Sequence, residues 1–119
     1  MKDPKNADFL LRTKAFALRV IRLSASLPKT REGDVLGRQV LRSGTSVGAN
    51  YRKASRSRPC AEFSAKLGDS LKELSESSYW LELLQESEVI TPNLLTGLLN
   101  ESNELTAIFS TIHKKARAS

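Results

Sequence analysis

Six cations crowd one stretch of this chain. Arg38, Arg42, Arg52, Lys53, Arg56 and Arg58 all fall within residues 38–58, with Tyr51 among them. A guanidinium grips phosphate with a planar two-pronged fork, and a tyrosine ring can stack on an exposed base. On a helix, Arg38 with Arg42 and Arg52 with Arg56 are same-face pairs four residues apart. The chemistry such a set can do is contact with nucleic acid. The alternatives are a solvated face, or ion pairs to the acidic stretch that follows.

Other reactive side chains are few and scattered. His113 is the only histidine and has no carboxylate four residues to either side, so it reads as an exposed helix residue rather than a base. Cys60 is the only cysteine, which excludes an internal disulfide and leaves no zinc set. It stands near a helix start beside Arg58 and reads as a small packing residue. Glu73 with Glu76 and Glu82 with Glu86 are spaced along one helix, but a di-metal bundle needs Glu-x-x-His motifs that are missing here. These carboxylates read as solvated or salt-bridging. Gly44-x-x-x-Gly48 is no phosphate loop, because Ala49-Asn50 follows where Lys-Ser or Lys-Thr would be needed. No nucleophile, base and orienting group come together. The expectation is therefore no catalytic residue, no metal, no cofactor and no enzyme activity.

The elements that must position these residues are helices. Phe9, Phe16 and Leu23 recur every seven residues, with Val20 and Leu27 between them, and the segment stops at Leu27-Pro28. Asp3-Pro4 or Asn6 can open it. Thr30 can cap a second helix, whose stripe runs through Leu36, Val40, Gly44, Val47, Tyr51 and Ala54. Each glycine weakens that helix by up to ~1 kcal/mol relative to Ala, so local propensity favours a loop at 43–48. The apolar period runs straight through, however, and Gly44 and Gly48 share a face that would let a neighbouring backbone come close. A continuous helix is expected. A third begins near Pro59, with a stripe of Phe63, Leu67, Leu71 or Ser70, Leu74, Ser78, Leu81 and Leu84 or Gln85. Trp80 and Leu83 fall off that stripe and form a second apolar strip. Thr91-Pro92 opens a fourth helix with Leu95, Leu98, Ser102, Leu105, Phe109, Ile112 and Ala116 in register. Lys114, Lys115 and Arg117 suit its C-terminal dipole.

Four amphipathic helices with short connections predict an all-α, antiparallel up-down-up-down bundle as one domain, residues 1–119. The chain has 119 residues, 39% hydrophobic and 27% charged, enough for a core without staples. Its net charge of +6 favours polyanion partners. No signal-peptide core and no run long enough to span a membrane are visible, so a cytoplasmic protein without membrane attachment is expected. Charge is segregated. Residues 29–58 hold eight basic and two acidic side chains, residues 59–88 two basic and seven acidic. Opposite charge on adjacent helices can pair within the bundle or orient one subunit on the next.

The run Arg42-Ser43-Gly44-Thr45-Ser46-Val47-Gly48-Ala49-Asn50-Tyr51-Arg52 resembles the signature of the bacterial four-helix bundle proteins, first noticed encoded inside intervening sequences of the large ribosomal RNA gene. Phe63, Lys66-Leu67, Leu71-Lys72-Glu73 and Tyr79-Trp80-Leu81-Glu82-Leu83-Leu84 fall where that family's pattern expects them, so the likeness spans nearly the whole chain. The resemblance implies an antiparallel bundle that assembles into rings of five. It also implies kinship with the accessory protein of diversity-generating retroelements, which binds a reverse transcriptase and nucleic acid through a basic surface. Asn50, Tyr51, Tyr79 and Trp80 occupy motif positions, and the resemblance gives none of them a catalytic role. Many members carry Glu or Ala at the position of Lys53, so this surface is more basic than is usual.

Together these readings predict a homo-pentamer with Tyr79, Trp80 and Leu83 at its interface, because large apolar groups rarely remain exposed as a patch. Segregated charge suits a head-to-tail contact that can close into a ring. Arg38, Arg42, Arg52, Lys53, Arg56 and Arg58 would bind RNA or DNA non-specifically, and a protein such as a reverse transcriptase is the expected further partner. The competing reading is a protein–protein scaffold whose charges serve assembly alone.

Overall fold

In the computed structural model, which describes residues 5–118, four helices account for nearly all of the chain. They are α1 (Lys5–Ser26), α2 (Arg31–Ser55), α3 (Ala61–Glu86) and α4 (Asn93–Ala118). There is no strand among the described residues. Each helix packs on its neighbour in sequence and α1 also packs on α4, while α1–α3 and α2–α4 are the diagonal pairs, the latter meeting through core side chains such as Tyr51 and Phe109. With connections of only residues 27–30, 56–60 and 87–92, this is an up-down-up-down bundle. It measures 46 × 21 × 20 Å.

Local chemistry explains the ends. Leu27 is buried at the foot of α1, and Pro28 beyond it prevents continuation. Thr30 is extended and its hydroxyl accepts from the Gly33 amide at 3.1 Å, the expected N-cap of α2. The Pro92 carbonyl accepts from the Leu95 and Thr96 amides, so Pro92 stands one residue before α4 and starts its ladder. Asp3-Pro4 lies outside the described residues. Asn6 is not a cap. It sits within α1, where its Oδ1 accepts a 2.7 Å hydrogen bond from the Tyr51 hydroxyl.

Helix α2 is unbroken across 43–48, as the apolar period predicts. The glycines are there for α1. A Cβ on Gly44 would stand 2.9 Å from both Val20 methyls, and one on Gly48 would stand 3.2 Å from Thr13 Oγ1. Gly44 and Gly48 are spaced one turn apart, so they leave a trough along α2 into which α1 settles. The cost in helix propensity is offset by that close packing.

The core follows the stripes, with small corrections. Phe9, Tyr51 and Phe109 form an aromatic knot, Tyr51 stacked on Phe109 at 5.1 Å and Phe9 edge-on to both. In α3 the buried positions are Ser70 rather than Leu71, and Ser77 rather than Ser78. Serines keep these seams thin and bond across them. Ser70 donates to the Val47 carbonyl at 2.8 Å, Ser77 to Ser43 at 3.0 Å, and Ser78 shares a 2.6 Å bond with Ser102. Buried hydroxyls with partners are cheap to bury. Arg12 ties α1 to α4 with a two-pronged grip on Glu101, 2.8 and 3.1 Å, and a further contact to Glu104 at 3.1 Å. The hydrogen bonds to Glu101 hold this guanidinium charged well above its ordinary range.

Candidate nucleic-acid interface

The outer face of α2 carries the predicted cations. Its buried side is set by Val40, Val47, Tyr51 and Ala54, and Arg38, Arg42, Arg52, Lys53 and Arg56 are all exposed on the other side. Arg58 is exposed in the following connection. The structure then splits the six by partner. Arg38 pairs with Asp34 one turn away. Arg42 reaches across to α3, where Glu76 takes its Nη2 and Glu73 Oε1 stands 3.6 Å from its Nη1. Glu73 Oε1 is buried and accepts no hydrogen bond among the described residues. Arg58 pairs with Glu62 at 3.4 Å. Arg52, Lys53 and Arg56 belong to no ion pair among the described residues. Pairing to the acidic third helix is thus realised at Arg42 and Arg58 and not at Arg52, Lys53 or Arg56.

Tyr51 is the clear correction. It is fully buried, stacked on Phe109 and bonded to Asn6, so it cannot stack on a base at the surface. His113 also differs from the expectation. It is half-buried over Gly68, where a Cβ would meet its Nε2 at 3.2 Å. Asp69 and Lys72 line the same groove. Cys60 is exposed, not packed, and holds a positive φ of 72° as the N-cap of α3 without a side-chain cap bond. Among the described residues no cluster of three or more His, Cys, Asp and Glu side chains is placed to hold a metal ion. No described helix is long and apolar enough to cross a membrane.

Antiparallel packing enlarges the basic surface beyond the six. The C-termini of α2 and α4 and the N-termini of α1 and α3 share one end of the rod. That end gathers Lys5, Arg52, Lys53, Arg56, Arg58, Lys114, Lys115 and Arg117 against Asp8 and Glu62. The other end sets Arg22, Lys29 and Arg31 among Glu32, Asp34, Glu82, Glu86 and Glu88. Helix dipoles do not account for the asymmetry. Two N-termini and two C-termini meet at each end, so their partial charges cancel there. Reading Lys114, Lys115 and Arg117 as dipole partners alone missed this. The signal was available, because short connections place the end of α4 beside the end of α2.

The family model for the 23S rRNA-intervening sequence protein matches residues 5–111. The chain belongs to this family. Among solved structures, it is 37% identical to a protein of unknown function from the S23 ribosomal protein family of Bacteroides thetaiotaomicron VPI-5482. That likeness covers 92% of this chain and 98% of the other, with a TM-score of 0.84. Comparison with curated proteins gave no match.

The predicted interface residues of this intervening-sequence family member lie on α3, toward the acidic end. Tyr79 is 53% exposed and meets the Trp80 ring edge-on at 5.1 Å. Trp80 is half-buried at the margin of the core, and its Nε1–H donates to Glu76 at 3.3 Å, the carboxylate that also holds Arg42. Leu83 is half-buried. Part of the second apolar strip is therefore used inside the bundle, and Tyr79 is its most open member. A strip that sequence reasoning missed runs along α1. Leu11 is 69% exposed, Leu18 43% and Ile21 44%. Leu11 and Leu18 are seven residues apart, like Phe9 and Phe16 on the opposite, buried side.

Proposed function

We propose that this protein is a non-enzymatic, oligomeric accessory factor of the cytoplasm that binds RNA or DNA non-specifically. The observation that carries the reading is the cationic end of the bundle, centred on Arg52, Lys53 and Arg56. A family described by an rRNA intervening sequence is consistent with a nucleic-acid partner. Contacts would be to phosphate. No described element has the form of a recognition helix in a helix-turn-helix or zinc module, so sequence preference should be slight. A filter-binding titration of the wild-type protein tests this. Retention at micromolar protein and low salt is expected, with affinity falling steeply as salt rises, because each neutralised phosphate releases condensed counterions. Failure to retain either RNA or DNA would leave the scaffold reading. That second reading draws on the in-chain pairing of Arg38, Arg42 and Arg58.

Assembly is part of the proposal. Helices α1 and α3 lie on opposite sides of the bundle. The outer face of α1 sets Leu11, Leu18 and Ile21 beside Lys14 and Arg22, and that of α3 sets Tyr79 and Leu83 beside Glu82 and Glu86. Faces of opposite charge on opposite sides favour a head-to-tail contact, which closes into a ring when the rotation permits. A homo-pentamer is the expected result. Multi-angle light scattering at micromolar concentration should return about five chain masses; a monomer mass would count against the assembly and against Tyr79, Trp80 and Leu83 as interface residues.

A further inference from the structure

The cationic end also holds a largely apolar hollow. A pocket of about 310 Å3 opens between the start of α3 and the last turns of α4. Pro59, Phe63, Ile112 and Ala116 give it carbon walls, and Cys60 and Lys115 stand at its edge. Arg56 and Arg58 lie just before it in the chain, and Lys114 and Arg117 flank its α4 wall. Small-molecule sites begin at about this volume and share this design, apolar walls with a few polar groups at the margin. An apolar hollow with Lys115 at its edge, on a cation-rich end of the bundle, fits a ligand that joins an apolar body to a negative charge.

Resting on the nucleic-acid reading above, we infer that this pocket takes one unstacked base of a single-stranded nucleic acid while its neighbouring phosphates lie on the surrounding cations. Charge complementarity selects the polyanion, and the carbon walls select its bases. A base in a duplex is paired and stacked and cannot enter, whereas a single strand can splay one out. Sequence tolerance follows as well, because carbon walls make no hydrogen bonds that would tell one base from another. The site therefore adds a preference for strands over duplexes to a surface that phosphate contacts alone would leave indifferent.

Cys60 makes the test direct, as it is the only thiol and is exposed at the pocket edge. Alkylation of Cys60 in the wild-type protein would be followed by mass spectrometry. Three probes with equal numbers of phosphates are compared: a short oligouridylate, a duplex, and an abasic strand. The oligouridylate should slow alkylation roughly tenfold, and the other two should hardly change it. Equal protection by all three would show coverage by the backbone alone and overturn the inference. Protection by oleate but not by oligouridylate would overturn it too, in favour of an anionic amphiphile. Ala116→Leu, which narrows the hollow, should weaken single-strand binding and leave duplex binding unchanged; equal loss on both would remove the pocket from the account. If filter binding persists while Cys60 stays equally reactive throughout, the pocket fails and the cationic end stands. If no nucleic acid is retained at all, both fail.

Discussion

Phe109→Ala should lower the unfolding free energy by about 3–5 kcal/mol, among the largest losses expected from a single truncation in this chain. Phe109 is fully buried, and its ring joins α4 to α1 through Phe9 and to α2 through Tyr51. Removing it takes away two aromatic contacts along with the transfer energy and leaves a cavity that three helices cannot easily close. Domains of this size are stable by only about 5–15 kcal/mol, so the variant should melt roughly 10–20 °C lower. Urea denaturation at one fixed protein concentration is the measurement, since assembly would make stability concentration-dependent. A loss below about 1 kcal/mol would mean that the knot is not packed as described.

The fold was legible because the helices obey one rule. The apolar stripes traced through the four helices mark the core, and this held through Gly44 and Gly48 against their poor propensity, although Leu11, Leu18 and Ile21 recur at similar spacing and stay exposed. Tyr51 shows the rule's strength from the other side. Periodicity placed it in the core, while its chemistry suggested a stacking platform, and the two readings cannot both hold at one position. Burial won, because Asn6 supplies the one partner its hydroxyl needs. Thr13 was unreadable for the opposite reason. It is a polar residue at a core position, made acceptable by donating to the Phe9 carbonyl at 2.8 Å. Ser70 was ambiguous with Leu71 because a seam needing thinness rewards small residues over greasy ones, and Ser77 was missed in favour of its neighbour Ser78, which has the same side chain.

The candidate site was legible only as a list along the chain. Arg42 and Arg52 look equivalent in sequence, yet one meets Glu73 and Glu76 across the α2–α3 seam and the other meets no acid among the described residues. Sequence spacing cannot show that difference, since it depends on the rotation of α3 against α2. The contribution of α4 to the cationic end depends in turn on topology.

Replacing Arg52, Lys53 and Arg56 together with Ala should weaken binding to all nucleic acids alike, by roughly a hundredfold at low salt if each lost phosphate contact is worth about 1 kcal/mol. The salt dependence gives the sharper test. Three fewer phosphates should reduce the slope of log affinity against log salt by about 2 on single strands and nearly 3 on duplex DNA. Arg38→Ala with Arg42→Ala should do much less, because Asp34, Glu73 and Glu76 already balance those charges. Exposed pairs are weak and can exchange partners, so some loss is expected there. Both variants should keep the wild-type oligomeric mass, since none of these side chains lies on the Tyr79–Leu83 strip. If the two variants lose affinity equally, the whole length of α2 is the binding surface and the cationic end has no privilege. If the triple variant instead loses its oligomeric mass, these cations serve assembly, and the scaffold reading explains them.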